Sequence, residues 1–138
     1  MLNATVSLYA HASIRPLEKP EVILQAIDRG EEVTLPATES LPLEEPLLLH
    51  RGVYNRICAM LGKPLPCHLS SFVDVPPGSG LGTSSTLVVA LIGAFVEWLN
   101  LPLGEYDIAR LAYEIERIDL GQAGGRQDQY AATFGGVN

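Results

Sequence analysis

Ten consecutive residues, Pro76-Pro77-Gly78-Ser79-Gly80-Leu81-Gly82-Thr83-Ser84-Ser85, constrain this chain more than any other stretch. An apolar run, Ser71-Phe72-Val73-Asp74-Val75, leads into them, and Thr86 to Val96 follows with helical character. Strand, glycine-rich turn and helix N-terminus together are a general way to build an anion site. The first turn of a helix has backbone N–H groups without intrahelical partners, and the macrodipole adds partial positive charge there. Glycines allow the loop to wrap closely around a phosphate. Thr83, Ser84 and Ser85 add hydroxyls able to cap the helix, bind phosphate oxygens or ligate a metal. The run is a nucleotide-site candidate.

Two common phosphate loops do not fit. A Gly-x-x-x-x-Gly-Lys-Ser/Thr loop needs a lysine, and none lies in or just after this stretch. The dinucleotide fingerprint Gly-x-Gly-x-x-Gly fails as well, because Thr83 stands where its last glycine belongs. The full string resembles instead the ATP-binding motif of the GHMP kinases, Pro-x-x-x-Gly-Leu-Gly-Ser-Ser-Ala. Pro76, Gly80, Leu81, Gly82 and Ser84 match, while Thr83 and Ser85 are mild replacements. The resemblance implies that Pro77, Gly78, Ser79, Gly80, Leu81, Gly82, Thr83, Ser84 and Ser85 line an ATP site. In it the loop amides cradle the triphosphate and Ser84 helps hold Mg²⁺.

A second segment bears on the same chemistry. Ile108, Leu111, Ala112, Ile115 and Ile118 recur at three- and four-residue intervals, which predicts an amphipathic helix. Gly121-Gln122-Ala123-Gly124-Gly125 then reads as a helix stop and turn, ahead of Arg126-Gln127-Asp128-Gln129-Tyr130. GHMP kinases carry a glutamate late in such a helix and an aspartate about a dozen positions on. Glu116 and Asp128 meet that spacing, with Glu114 a nearby competitor that points to another side of the helix. By this resemblance Glu116 joins Ser84 at Mg²⁺, and Asp128 orients or takes the acceptor's hydroxyl proton. Phosphoryl transfer needs this division, one group serving charge neutralisation and one serving the acceptor. Arg126 and Gly125 sit beside Asp128 as substrate-side candidates; the alternative for Arg126 is an ordinary surface arginine.

The wording from Glu116 to Gly136 is most similar to the sugar-kinase branch acting on D-glycero-D-manno-heptose 7-phosphate, a branch that also holds fucose-type kinases. The resemblance implies an ATP- and Mg²⁺-dependent kinase with a sugar phosphate as acceptor. It covers this chain but only the N-terminal half of a family member, without its first strand and its C-terminal half. A non-catalytic remnant or subunit that self-associates, or pairs with the missing half, is a second reading. A fucose or galactose kinase is a third.

Composition excludes some partners. A net charge of -7 argues against nucleic acid, whose phosphates are bound by clustered lysine and arginine. The longest apolar stretch, Leu87 to Val96, is too short to span a bilayer, and no leader opens the chain, so a cytoplasmic protein is expected. Cys58 and Cys67 have no partners at metal-ligand spacing and are expected to be reduced structural thiols. His11, His50 and His68 are isolated and read as structural.

One α+β domain over residues 1–138 is expected, a mixed sheet packed with helices as in the GHMP kinase N-terminal domain, the ribosomal protein S5 domain 2-like fold. Asn3 to Ile14 reads as one strand. Val22–Ile27 and Glu32–Leu35 form a hairpin, with Gly30 in its turn. Pro36 to Pro46 is a loop, Leu47 to Leu61 a helix ended by Gly62, and Pro66 to Val75 a strand. Helices over Thr83–Leu99 and Leu103–Leu120 and a strand from Tyr130 to Val137 complete the order.

Overall fold

The computed structural model describes residues 4–6, 10–74 and 83–121. The loop positions Pro77, Gly78, Ser79, Gly80, Leu81 and Gly82, the acceptor-side Gly125, Arg126 and Asp128, and the strand expected from Tyr130 lie outside the described residues. So does the side chain of Thr83.

Alternation of small and branched apolar residues with mostly polar ones builds the sheet, broken at Ile23 and at Ser71-Phe72. Strands β1 (Ala4–Val6), β2 (Ala10–Pro16), β3 (Glu21–Ala26), β4 (Glu31–Pro36) and β5 (Cys67–Val73) assemble in the order β1-β2-β5-β3-β4. β5 runs antiparallel to β2 and parallel to β3, so the sheet is mixed. Ala10, Ala12 and Ile14, Val22, Leu24 and Ala26, and Cys67, Leu69 and Ser71 are buried on one face. His11, Ser13, Arg15, Gln25, His68 and Ser70 alternate with them on the other. On that face Arg15 reaches His68 Nδ1 at 3.2 Å, and His68 Nε2 meets Gln25 Oε1 at 3.0 Å. Burial, then the Arg15 charge, lowers the His68 pKa.

The expected single strand Asn3–Ile14 is two strands. β1 pairs antiparallel with β2 in the register Ala4↔Ser13, so the chain reverses between them. Alternation runs unbroken through Ala4, Val6, Leu8 and Ala10, and no glycine or proline marks the reversal. A period-two pattern alone cannot distinguish one long strand from two that pair with each other. The β3–β4 hairpin is as expected. A single 3₁₀ turn, Ile27–Arg29, is closed by Gly30 at φ 66°, a left-handed position that glycine takes without a Cβ penalty.

Three helices cover the buried face: α1 (Leu48–Leu61), α2 (Thr83–Leu99) and α3 (Glu105–Glu114). α2 is apolar nearly all round, because it packs on β2 and β5 below and touches α1 and α3 at its sides. Val88, Ala90, Leu91, Ile92, Ala94 and Phe95 are all fully buried, each large one contributing about 1.5–3 kcal/mol. Gly62, at φ 73°, ends α1 and donates to Cys58 O at 2.7 Å. Asp107 reaches back to the Gly104 N–H at 3.0 Å and starts α3.

The loop from Ala37 to Leu47 is held by α1. Asn55 accepts from Leu41 N at 2.7 Å and donates to Leu41 O at 2.9 Å. Buried Arg51 donates to Pro46 O at 2.9 Å and Pro42 O at 3.1 Å. Tyr54 donates to Thr38 O at 2.9 Å and accepts from Leu65 N at 3.1 Å, and its burial raises the phenol pKa. Both cysteines are buried free thiols; desolvation pushes Cys67 up to about 12 and raises Cys58 also.

Candidate active site

The helix expected over Leu103–Leu120 does not keep one period. After Glu114 the chain widens into a π turn, Ile115–Asp119, in which Leu120 N donates to Ile115 O at 2.8 Å, five residues back. A π turn inserts an extra residue and rotates everything after it, and such turns cluster at functional sites. Here Ile118 is turned out, at 54% exposed, whereas Leu120 is fully buried. Glu116 is turned in, with 3% of its surface exposed. The three- and four-residue spacing that includes Ile118 therefore holds only as far as Ile115.

Glu116 meets the first turn of α2. Ser84 Oγ donates to Oε2 at 3.1 Å and Ser85 Oγ to Oε1 at 2.8 Å, across 32 and 31 residues. Ser84 and Ser85 lie in the first turn of α2, where no preceding turn crowds the side chains, and both reach the one carboxylate. Glu114 points elsewhere, accepting from Arg56 Nη1 at 2.9 Å. The structure thus separates the two glutamates that spacing left in competition. A buried carboxylate beside two hydroxyls is an all-oxygen donor set, which suits a hard divalent cation such as Mg²⁺.

A cleft of about 200 Å³ opens beside Ser84. Leu49, Leu87, Val73 and Ala26 give it apolar walls, and Asp28 and Arg29 from the β3–β4 turn stand at its edge. Asp28 Oδ1 accepts from Val73 N at 3.2 Å, tying that turn to the end of β5 where the glycine-rich run begins. His50 and Ser71 lie in the wall, with Nε2 and Oγ 2.8 Å apart. His50 Nδ1 is buried and has no hydrogen-bond partner among the described residues. Orphaned buried N–H groups are rarer than orphaned acceptors, so the proton is assigned to Nε2, facing Ser71 Oγ. Burial first, and then the Arg29 charge, lowers the His50 pKa to about 4, so the ring is neutral near pH 7.

His50, Ser71 and Asp28 line this cleft, and sequence reasoning did not bring them together. A lone histidine and a turn aspartate give no spacing signal, and only the packing of α1 against the sheet brings them to one cleft. His50 was expected to be structural; it is indeed buried and bonded, but it also lines the cleft.

No helix among the described residues is long and apolar enough to cross a membrane. Residues 48–136 match the family model for the GHMP kinases N terminal domain. The chain is 53% identical over 139 residues to D-glycero-alpha-D-manno-heptose 7-phosphate kinase of Campylobacter jejuni, covering 100% of this chain and 41% of that protein. A crystal structure of a D-glycero-D-manno-heptose 1-phosphate kinase from Bacteroides thetaiotaomicron superposes with TM-score 0.77 at 46% identity, over 97% of this chain and 44% of that one. Methanococcus jannaschii mevalonate kinase shares the fold, with TM-score 0.72 at 18% identity, over 91% and 41% of the two chains. The chain spans about two fifths of the length of the curated relative from Campylobacter.

Proposed function

This chain belongs to the GHMP kinase family, and from that premise we propose that it forms the ATP-binding part of a sugar kinase. The acceptor we infer is a heptose 7-phosphate, and the reaction moves the γ-phosphoryl group of ATP onto a sugar hydroxyl. The reading rests most on one observation, the two hydroxyls of the first α2 turn converging on buried Glu116. High identity to a heptose phosphate kinase supports the choice of acceptor.

In this reading Ser84 and Glu116 hold Mg²⁺, which when bound offsets charge on the triphosphate. Backbone amides from Gly78 to Thr83 bind phosphate oxygens. The cleft beside Ser84 takes the nucleoside, its apolar walls excluding water from a flat base. Asp128 orients the acceptor hydroxyl and removes its proton, and Arg126 and Gly125 contact the sugar phosphate. Apart from the proton taken by Asp128, these groups position or neutralise, which is most of what phosphoryl transfer asks of a protein. The cytoplasm, where ATP is supplied, is the setting we infer.

Calorimetric titration with MgATP, run beside Glu116→Ala, tests the reading. Saturable binding that the substitution weakens is expected. Absence of binding by the folded chain would remove the nucleotide role and leave a non-catalytic, self-associating protein as the better account. Asp128→Asn is expected to abolish turnover of heptose 7-phosphate while sparing nucleotide affinity; retained turnover would take Asp128 out of the mechanism.

A further inference from the structure

Arg56 grips both ends of the turn that carries Glu116. From the middle of α1 its Nε donates to Asp119 Oδ2 and its Nη2 to Asp119 Oδ1, each at 3.0 Å. Its remaining nitrogen, Nη1, donates to Glu114 Oε1 at 2.9 Å. The two acids lie 58 and 63 residues along the chain from Arg56; Glu114 immediately precedes Ile115–Asp119 and Asp119 ends it. The planar guanidinium suits a forked grip on one carboxylate plus a third bond to another, which a lysine cannot reproduce.

A second contact works at the same place. Gly52, one turn before Arg56 on α1, lets Leu120 approach so closely that a Cβ there would stand 2.6 Å from Leu120 Cδ2. α1 is therefore seated against the π turn by a close steric fit at Leu120 and by the Arg56 fork at Glu114 and Asp119. A π turn competes with the ordinary α period, which would return residue 118 to the core and move Glu116. The α1 contacts oppose that return. Exposed ion pairs add little to stability, but a partly buried, three-bonded fork fixes geometry. Arg56 and Asp119 side chains are 22% and 25% exposed.

We propose that Arg56 is a positioning residue for the metal-binding carboxylate, acting through the Ile115–Asp119 turn without touching metal or nucleotide. The proposal rests on the reading of Glu116 as a Mg²⁺ ligand given above. Outer-sphere groups that orient a metal ligand commonly change metal affinity about 10–100-fold when removed.

The test is the increment that Mg²⁺ adds to ATP affinity, taken as the ratio of dissociation constants with chelator and with excess Mg²⁺. It is measured calorimetrically for the wild type, Arg56→Met, Glu116→Ala and the double variant. Arg56→Met is expected to cut the ratio about tenfold while leaving metal-free ATP affinity in place, a split that general loosening of the fold would not give. In the Glu116→Ala background the same substitution is expected to do nothing further, because its effect runs through that carboxylate. An unchanged ratio in Arg56→Met, or an equal loss in both backgrounds, would overturn the proposal. An unchanged ratio in Glu116→Ala alone would overturn the metal reading itself, and is a separate result. Should Arg56→Met lack a cooperative unfolding transition, Asp119→Asn takes its place with the same expectation. Failure of both to fold would make the fork a fold-holding contact and end the positioning role.

Discussion

Ser85 Oγ donates to Glu116 Oε1 at 2.8 Å, a shorter contact than the one from Ser84, at 3.1 Å, that the family motif singles out. Both serines hold the carboxylate; in the function proposed above Ser84 is also given to Mg²⁺, which leaves Ser85 as the carboxylate's own partner. Hydrogen bonds to charged groups contribute about 1.5–3 kcal/mol.

Ser85→Ala is expected to lower unfolding free energy by about 2 kcal/mol, read from urea denaturation. Ser84→Ala is expected to lower it less but to weaken MgATP binding more, read by calorimetry. Equal effects of the two substitutions on both measurements would erase the distinction.

Gly52→Ala sets two effects against each other. Alanine gains about 1 kcal/mol of helix propensity over glycine. The added Cβ, however, meets Leu120 at 2.6 Å, and Leu120 is fully buried with little room to yield. Overpacking of this kind costs about 1–3 kcal/mol, so net destabilisation of about 1 kcal/mol is expected in urea titration. In a Leu120→Ala background the clash disappears, and Gly52→Ala should become neutral or stabilising. Persistence of the penalty there would place its cause elsewhere on α1.

Tyr54→Phe removes one hydroxyl that serves two backbone groups, Thr38 O and Leu65 N. The Leu65 N–H is left buried without its acceptor, and a loss of about 2 kcal/mol is expected. Hydrogen exchange at Leu65 should quicken with it. An unchanged exchange rate at that amide would show that another acceptor takes over.

Much of this was legible in the sequence because local chemistry and tertiary packing agreed. Gly30 and Gly62 announced turns that need φ > 0, and both are found there. The apolar character of Thr83–Leu99 gave α2 with its bounds, and Glu116 was named from the spacing of the family the chain resembles, with Glu114 beside it as a competitor. Illegible features were those decided by a distant partner. Nothing local says that Ile115–Asp119 is a π turn, since its residues suit an α-helix and the choice is made together with α1 contacts at Gly52 and Arg56. Nothing local reverses the chain between Val6 and Ala10. His50 looked isolated because its partner, Ser71, is 21 residues away and arrives on another element.

Acid sensitivity follows from the burial of His50 and, second, from the Arg29 charge. His50 is 3% exposed, and its pKa falls from the ordinary 6.5 to about 4 in the folded chain. Between these values the unfolded chain takes up a proton that the folded chain refuses. Stability therefore falls as pH drops from 6.5 towards 4, and this contribution is level above and below that window. The whole gap corresponds to about 3 kcal/mol. Carboxylates also titrate near its lower end, so the informative quantity is the difference from His50→Gln, whose amide can still donate to Ser71 Oγ. Urea denaturation of both proteins across the window should show the wild type losing stability faster as pH falls. Parallel curves would mean that His50 takes up its proton in place, with Nδ1 finding an acceptor in the cleft.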